Sequence, residues 1–253
     1  MSVFKKQYAE FYDYLYQNKD YERECDFIEA AFKKYGCRVK TILDLGCGTG
    51  GHALILSQRG FNVVGVDKSE EMLNIAICKA RKDNLSAEFI QGDITNIDLG
   101  RKFDAVVSMF AVIGYQTTNS ALSGACRVAE SHMASDGFFL FDCWNGTAVL
   151  NERPGTRVKE VELNDNEKIV RFTDPVIDTL SHIVETRFKV WRINGDRLVS
   201  ETQESHFMRY LFPQEIRYYL EVAGFRNVEF SPFPELEKPL TADDWNMAVI
   251  ARR

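Results

Sequence analysis

The chain has 253 residues, 45% apolar and 27% charged, a make-up that fits a folded globular protein and excludes a disordered one. Its net charge is −6 and no run of Lys or Arg exceeds two, which argues against a broad nucleic-acid surface, since phosphate binding needs clustered cations. No apolar stretch approaches the roughly 18 residues of a membrane span, and Met-Ser-Val-Phe-Lys-Lys opens no signal-peptide segment, so the expected location is the cytoplasm.

Residues 4–35 read as helical, broken by a loop at Tyr16-Gln-Asn-Lys-Asp-Tyr21, with the second helix running from Tyr21 to Tyr35 and ending at Gly36. Aromatics crowd the first part: Phe4, Tyr8, Phe11, Tyr12, Tyr14, Tyr16 and Tyr21. Strands and helices then alternate: strand 40–45, helix 51–59, strand 62–66, helix 70–82 with Ser69 as N-cap, and strand 87–91. Strand 103–109, helix 119–134, a turn at Ser135-Asp136-Gly137 and strand 137–143 follow. This βαβα succession implies a parallel sheet covered on both faces, with ligands at the carboxyl ends of the strands.

Residues 147–210 change character. Val, Ile, Thr and Phe alternate with charged residues, and Asn194-Gly195 marks a tight hairpin, so this stretch is expected to be an antiparallel sheet inserted into the main fold. A helix opened by Pro213 and ending before Gly224, strand 226–230, a loop over 231–244 holding three of the six prolines, and strand 245–251 close the chain. The six cysteines, at 25, 37, 47, 78, 126 and 143, have no zinc-clip spacing and are expected to be reduced. Nothing points to a metal.

The most informative segment is Thr41-Ile-Leu-Asp-Leu-Gly-Cys-Gly-Thr-Gly-Gly51: a buried strand, a glycine turn and a helix. Glycines 46, 48 and 50 let main chain come into contact with a ligand. Gly46-Cys-Gly-Thr-Gly-Gly51 also satisfies the dinucleotide pattern G-x-G-x-x-G. Asp44, two positions before the first glycine, would repel a pyrophosphate and suits a cationic ligand with an amino-acid end, such as S-adenosylmethionine (SAM). Asp67 ends the second strand, placed to accept from ribose hydroxyls. Gly92-Asp93-Ile94 ends the third, placed to accept from an adenine amino group and cover the ring.

The succession D-x-G-x-G-x-G, an acid ending strand two, Gly-Asp, then Phe103-Asp-Ala-Val resembles the class I SAM-dependent methyltransferases over about residues 40–143 and the closing helix and strands. A narrower similarity is to N-methyltransferases of nucleotide-linked amino-deoxysugars. It rests on Phe11-Tyr-Asp-Tyr-Leu-Tyr16, Lys19-Asp-Tyr21 and Ser108-Met-Phe-Ala-Val-Ile-Gly-Tyr115. Phe141-Asp-Cys-Trp-Asn-Gly146 and His206-Phe-Met-Arg-Tyr-Leu-Phe-Pro213 resemble enzymes of surface-glycan (polysaccharide) biosynthesis, which also carry an antiparallel insertion over the active site. Where the sugar enzymes tend to have a histidine after Ile-Gly, this chain has Tyr115.

The resemblance implies a Rossmann-like doubly wound α/β fold, with a mixed sheet of seven strands whose last strand is antiparallel. Residues 1–146 and 211–253 would form the SAM-binding core, with 1–39 as a helical lid. Residues 147–210 would form a substrate-side lid whose exposed strand edges allow two copies of the chain to pair as a homodimer. It places Asp44, Gly46 and Gly48 at the methionine end with Tyr16, Asp67 at the ribose, Lys68 and Met72 beside the adenosine, and Gly92, Asp93 and Ile94 at the adenine. Ser108 and Met109 would lie near the sulfonium.

The expected chemistry is methyl transfer to an amine or hydroxyl of a sugar, with S-adenosylhomocysteine (SAH) as product. An amine acceptor must lose a proton. Tyr115, His206 and Arg209 are the residues expected to act on the acceptor, with Asp142 and Tyr210 as further candidates. Trp144 and Asn145 lie where it should dock, and His52, His132 and His182 receive no role.

Methylation of protein or nucleic acid is a second reading, disfavoured because Ser108-Met-Phe-Ala is not the Asn/Asp-Pro-Pro-Tyr motif of base amino-methylases, the chain has no Pro-Cys pair and its charge is acidic. Another small-molecule amine as acceptor, a non-catalytic SAM-binding protein and an NAD-dependent reductase remain as alternatives.

Overall fold

The structure, a computed structural model, describes residues 6–253; the first two positions of the helix expected from residue 4 lie outside them. Helices α1 (Lys6–Leu15) and α2 (Tyr21–Lys34) precede an alternation of β1 (Thr41–Leu45), α3 (Gly51–Gln58), β2 (Asn62–Asp67), α4 (Glu70–Lys82), β3 (Glu88–Gln91), β4 (Phe103–Ser108), α5 (Asn119–Ser131) and β5 (Met133–Trp144). After α6 (Gly146–Glu152) come four long strands: β6 (Arg157–Asn164), β7 (Glu167–Asp178), β8 (Ile183–Asn194) and β9 (Arg197–Arg209). The chain ends with α7 (Pro213–Ala223), β10 (Asn227–Pro232) and β11 (Asn246–Arg252).

Seven strands form one sheet in the order β10-β11-β5-β4-β1-β2-β3. β1 to β5 run parallel, and β11 is antiparallel to both β5 and β10. The chain leaves β1 toward β2 and β3, then returns to the other side for β4 and β5. The order therefore reverses between β1 and β4, which opens a crevice at their carboxyl ends. Side chains alternate across the sheet. Leu43, Leu45, Val106, Phe139 and Phe141 meet α5 and α7 on one face, while Ile42, Ala105, Val107, Phe138 and Leu140 meet α2 and α3 on the other. Each such large side chain, fully buried, contributes about 1.5–3 kcal/mol relative to exposure.

Local chemistry sets the helix starts. The Ser69 hydroxyl accepts from Met72 N–H, with Glu70 and Glu71 in the first turn of α4 and Lys79, Arg81 and Lys82 in its last, each matching the helix dipole. Thr118 caps α5 by accepting from Ala121 N–H. Asn145 caps α6, and its amide also donates to the carbonyls of Thr241 and Asp244, which ties the closing loop to the sheet.

Three boundaries differ from the sequence expectation by three residues or more. The turn at Ser135-Asp136-Gly137 lies inside β5, where pairing with β4 jumps from Phe103↔Met133 to Ala105↔Phe138. The extra residues fold into a bulge so tight that a Cβ on Gly137 would sit 2.2 Å from Met133 Cγ. The preceding helix stops at Ser131, not 134. Helix α6, seven residues long and β-branched at Thr147 and Val149, was expected to open the insertion sheet, which instead begins at Arg157.

The four long strands form a separate antiparallel sheet in chain order. Tyr8, Phe11 and Leu15 of α1 pack against its Val161, Ile169 and Val190, so the N-terminal helix and the insertion share one small core.

Candidate active site

The crevice between β1 and β4 opens into a cleft of about 890 Å³, within the range of small-molecule sites. Its floor is the glycine turn after β1. Gly46 and Cys47 N–H both donate to Val66 O, at 2.7 and 3.0 Å, which pins the turn to β2. Gly46 has φ +83°, and a Cβ there would stand 2.3 Å from Val112 Cγ1; at Gly48 (φ +54°) it would meet nothing within 4 Å, because that position faces the open cleft. Thr49 Oγ1 donates to Asp13 of α1 at 2.8 Å, and Lys79 of α4 pairs with the same carboxylate at 2.6 Å, so the lid helix is latched to the turn.

Three carboxylates surround this floor. Asp44 is buried and its Oδ2 has no hydrogen-bond partner. Burial, together with the nearby Asp67 charge, pushes its carboxyl up to about 7. Asp67 accepts from Ser69 N–H (2.8 Å) and Gly48 N–H (2.9 Å); burial raises it above its ordinary value even so. Asp93 accepts from Lys68 Nζ (2.8 Å) and from Thr95 N–H and Oγ1 (3.0 and 2.7 Å). Its partial burial would raise it, but the Lys68 and Thr95 contacts outweigh that and hold it below the usual carboxylate range.

The opposite rim follows β4. Phe110 and Ala111 have φ of +67° and +56°, which costs non-glycine residues on the order of 1–3 kcal/mol. The carboxylate of Asp142, at the end of β5, holds them there, accepting from Ala111 N–H with both oxygens (3.1 and 3.0 Å). Burial pushes Asp142 up to about 7 against that hydrogen bond.

The insertion and the N-terminal segment close the cleft. Thr186 and Phe188 of β8 and His206 and Met208 of β9 face it, with Tyr12, Tyr16, Lys19, Tyr21 and Glu24 from the other side. Tyr115 Oη lies 2.8 Å from His206 Nδ1, and His206 Nε2 lies 3.2 Å from Glu204 Oε2. The Tyr16 ring stands edge-on to Phe110 at 5.1 Å, and its hydroxyl accepts from Arg171 at 3.1 Å. Lys19 pairs with Glu24, which also meets His52 Nε2 at 2.6 Å, and its ammonium lies 4.1 Å from the Phe110 ring centre.

Of the residues singled out in the sequence, Tyr16, Gly46, Gly48, Asp67, Lys68, Met72, Asp93, Ile94, Met109, Tyr115, His206, Asp142 and Trp144 come together around this one cleft. Others lie outside its lining. Asp44 is buried at the end of β1, and Ser108 is buried at the end of β4, donating to Leu45 O at 2.7 Å. Gly92 is packed, because a Cβ there would sit 2.3 Å from Ile97 Cδ1. Arg209 turns away to pair with Glu215 of α7 and donate to Asn119 at 2.9 Å, so it fastens β9 to the core and does not face the acceptor space. Tyr210 and Asn145 are likewise buried outside the lining. His52, given no role, does reach the cleft.

Sequence reasoning missed Lys19, Thr186, Phe188 and Glu204. The signal for the last three was two-residue alternation once the strands are in register: Thr186 opposes His206 and Phe188 opposes Glu204.

The residues present fit SAM. The orphaned Oδ2 of Asp44 could partner a buried cation, the space beside Gly48 admits ligand against bare main chain, and Asp67 and Asp93 present carboxylates to the same cleft as acceptors for hydroxyl or amino groups. Among the described residues no group of three or more His, Cys, Asp or Glu side chains is gathered as a metal would need.

Comparison with known proteins bears on the family and the fold. A family model described as a methyltransferase domain matches residues 42–137. The dTDP-3-amino-3,4,6-trideoxy-α-D-glucopyranose N,N-dimethyltransferase of Streptomyces venezuelae is 33% identical over 226 residues, covering 88% of this chain and 92% of the relative. The dTDP-3-amino-3,6-dideoxy-α-D-glucopyranose N,N-dimethyltransferase of Streptomyces fradiae is 28% identical, covering 88% and 85%. Among solved structures, a SAM-dependent methyltransferase from Clostridium acetobutylicum superposes with a TM-score of 0.82 over 97% of both chains at 22% identity, which extends the likeness of fold to the insertion.

Proposed function

The chain belongs to the class I SAM-dependent methyltransferases, and from that premise we propose that it methylates the amino group of a nucleotide-linked deoxysugar. The observation that carries the substrate class is the 33% identity to an aminodeoxysugar N,N-dimethyltransferase along 92% of that enzyme's length, a span that includes more than the cofactor half. The cleft of about 890 Å³, lined by both the Tyr12–Glu24 segment and residues of β8 and β9, supports it, since a space of that size suits a small molecule.

In this reading Gly46, Gly48 and Asp44 hold the methionine end of SAM, with Tyr16 and Lys19 beside them. Asp67 accepts from the ribose, and Lys68, Met72, Asp93 and Ile94 enclose the adenosine. Gly92 and Ser108 support from behind, Gly92 by letting Ile97 pack under the Asp93 turn and Ser108 by fixing Leu45. Met109 stands between the two halves. When bound, SAM supplies a methyl group already activated by its sulfonium.

The protein's part is to align and enclose. The rigid Phe110–Ala111 turn and the aromatic lid fix where an acceptor nitrogen can stand, and such alignment is worth about 7–11 kcal/mol of barrier. Phe188, Met208 and the tyrosines exclude water from the reacting centre. Tyr115 and His206 present the polar groups that meet the acceptor. Net charge, the absence of a cationic run and the lack of any helix long and apolar enough to cross a membrane among the described residues support a cytoplasmic enzyme. The late Phe141–Gly146 and His206–Pro213 segments support a role in glycan or polysaccharide biosynthesis.

The test is to incubate the protein with SAM and dTDP-3-amino-3,4,6-trideoxy-α-D-glucopyranose and follow both by mass spectrometry. Transfer of one or two methyl groups to the sugar nitrogen, with matching SAH, is expected. Saturable SAM binding with no methylation of this or other dTDP-amino sugars would refute the substrate class.

A further inference from the structure

Glu204 of β9 is 7% exposed and His206 is 3% exposed, and both face inward from alternate positions of one strand. A carboxylate only accepts hydrogen bonds, so the imidazole nitrogen facing it, Nε2, carries the proton. With the proton on Nε2, Nδ1 is an acceptor, and the Tyr115 hydroxyl, 2.8 Å away, donates to it. The Tyr8 ring at 5.5 Å and the Phe188 ring at 5.0 Å pack against the imidazole and fix its plane. Tyr115 and His206 line the cleft and Glu204 does not, so the arrangement runs from the acceptor space into the insertion.

We propose that Tyr115, His206 and Glu204 form a proton relay for the acceptor amine, with Tyr115 touching the acceptor and Glu204 acting as a positioning residue behind His206. The inference rests on the methyltransferase reading of the same cleft. An ammonium must lose one proton before its nitrogen lone pair is free. That proton passes to Tyr115 Oη as the hydroxyl gives its own to His206 Nδ1. The N–H bond of the ammonium and the original O–H bond of Tyr115 break, and a new O–H and an Nδ1–H form. The acceptor ends neutral, the tyrosine unchanged and His206 an imidazolium, whose Nε2–H faces the Glu204 carboxylate. The imidazole of this relay comes from β9, one hydrogen bond removed from the acceptor space.

The decisive readout does not need turnover. In the SAH complex, 15N NMR of the histidine rings is expected to show His206 as a single Nε2–H tautomer in the wild type and as a mixture, or as Nδ1–H, in Glu204→Gln. With dTDP-3-amino-3,4,6-trideoxy-α-D-glucopyranose as the acceptor, Glu204→Gln should lower kcat about tenfold and Tyr115→Phe about a hundredfold. SAM affinity should stay within twofold in both. A wild-type His206 in the Nδ1–H form, or a Glu204→Gln protein with unchanged tautomer, overturns the relay. Absence of saturable SAM binding would instead overturn the cofactor reading, and the tautomer measurement still decides the relay on the unliganded protein.

Discussion

One wall of the cleft is made by the carboxyl ends of parallel strands, where a glycine turn, main-chain amides and the carboxylates of Asp67 and Asp93 lie within a few residues of strand ends, with Asp44 buried behind the turn. The facing wall is made by alternate side chains of β8 and β9, Thr186, Phe188, His206 and Met208, whose neighbours in space lie about a hairpin apart in sequence. The first wall uses backbone shape, which any chain with this turn can reproduce, and so suits a ligand shared by many enzymes. The second uses side-chain identity on a sheet, where single substitutions alter shape and charge without disturbing the ladder. On the proposed reading, the first wall carries the chemistry common to many enzymes and the second the specificity.

The sharpest way to break that division is Asp67→Ala. It removes the proposed acceptor for the ribose hydroxyls, and SAM affinity should fall roughly a hundredfold, about 3 kcal/mol, by calorimetry. The His206 tautomer across the cleft should not change. Equal affinity in mutant and wild type would place the nucleoside elsewhere.

Gly46→Ala attacks main-chain shape directly. The added Cβ would stand 2.3 Å from Val112 Cγ1 at a φ of +83°, and urea unfolding should show a loss of up to about 3 kcal/mol. Adding Val112→Ala should recover the steric part and leave the backbone part. No recovery would show that the Val112 contact is not what forbids a side chain there.

Arg209→Ala separates scaffold from site. Losing the pairing with Glu215 and Asn119 should lower stability by about 2 kcal/mol, while KM for the sugar nucleotide stays within twofold. A selective rise in KM would instead put the guanidinium on the substrate.

The smallest effect is a pH dependence. Asp44 titrates at about 7 in the free protein, so near that pH a good part of it is protonated. A cation bound beside it favours the ionised form and lowers its pKa. SAM binding should therefore release a proton, and affinity should rise about tenfold from pH 6 to pH 8. Asp44→Asn should remove the larger part of that rise. A flat profile in the wild type would mean that Asp44 does not face the cationic end.

Much of the strand-end wall of the cleft was legible because its residues are contiguous: a strand, a glycine turn and an acid can be read within ten residues, and each next acid falls at a strand end. The parallel sheet followed from alternating periodicity for the same reason. The bulge at the entry to β5 was not legible, since Ser135-Asp136-Gly137 makes an ordinary turn until pairing with Phe103 draws it into the strand. Glu204, Thr186 and Phe188 could not be read from composition, because their role depends on a register set by two hairpins. Arg209 was separable in principle: it lies an odd number of residues from His206, hence on the other face of a strand, and period-2 alternation already argues against a shared site. Lys19 was visible only as part of a loop, and its place beside Phe110 depends on how α1 docks on the insertion.

The division of the cleft is tested most directly by two-dimensional amide NMR during stepwise addition of SAH and then of a dTDP-amino sugar. The account predicts that SAH shifts the resonances of Gly46, Gly48, Asp67, Asp93 and Ile94 while β8 and β9 stay largely in place, and that the sugar nucleotide then moves Thr186, Phe188 and His206. SAH shifts centred on β8 and β9, with the glycine turn unmoved, would contradict it.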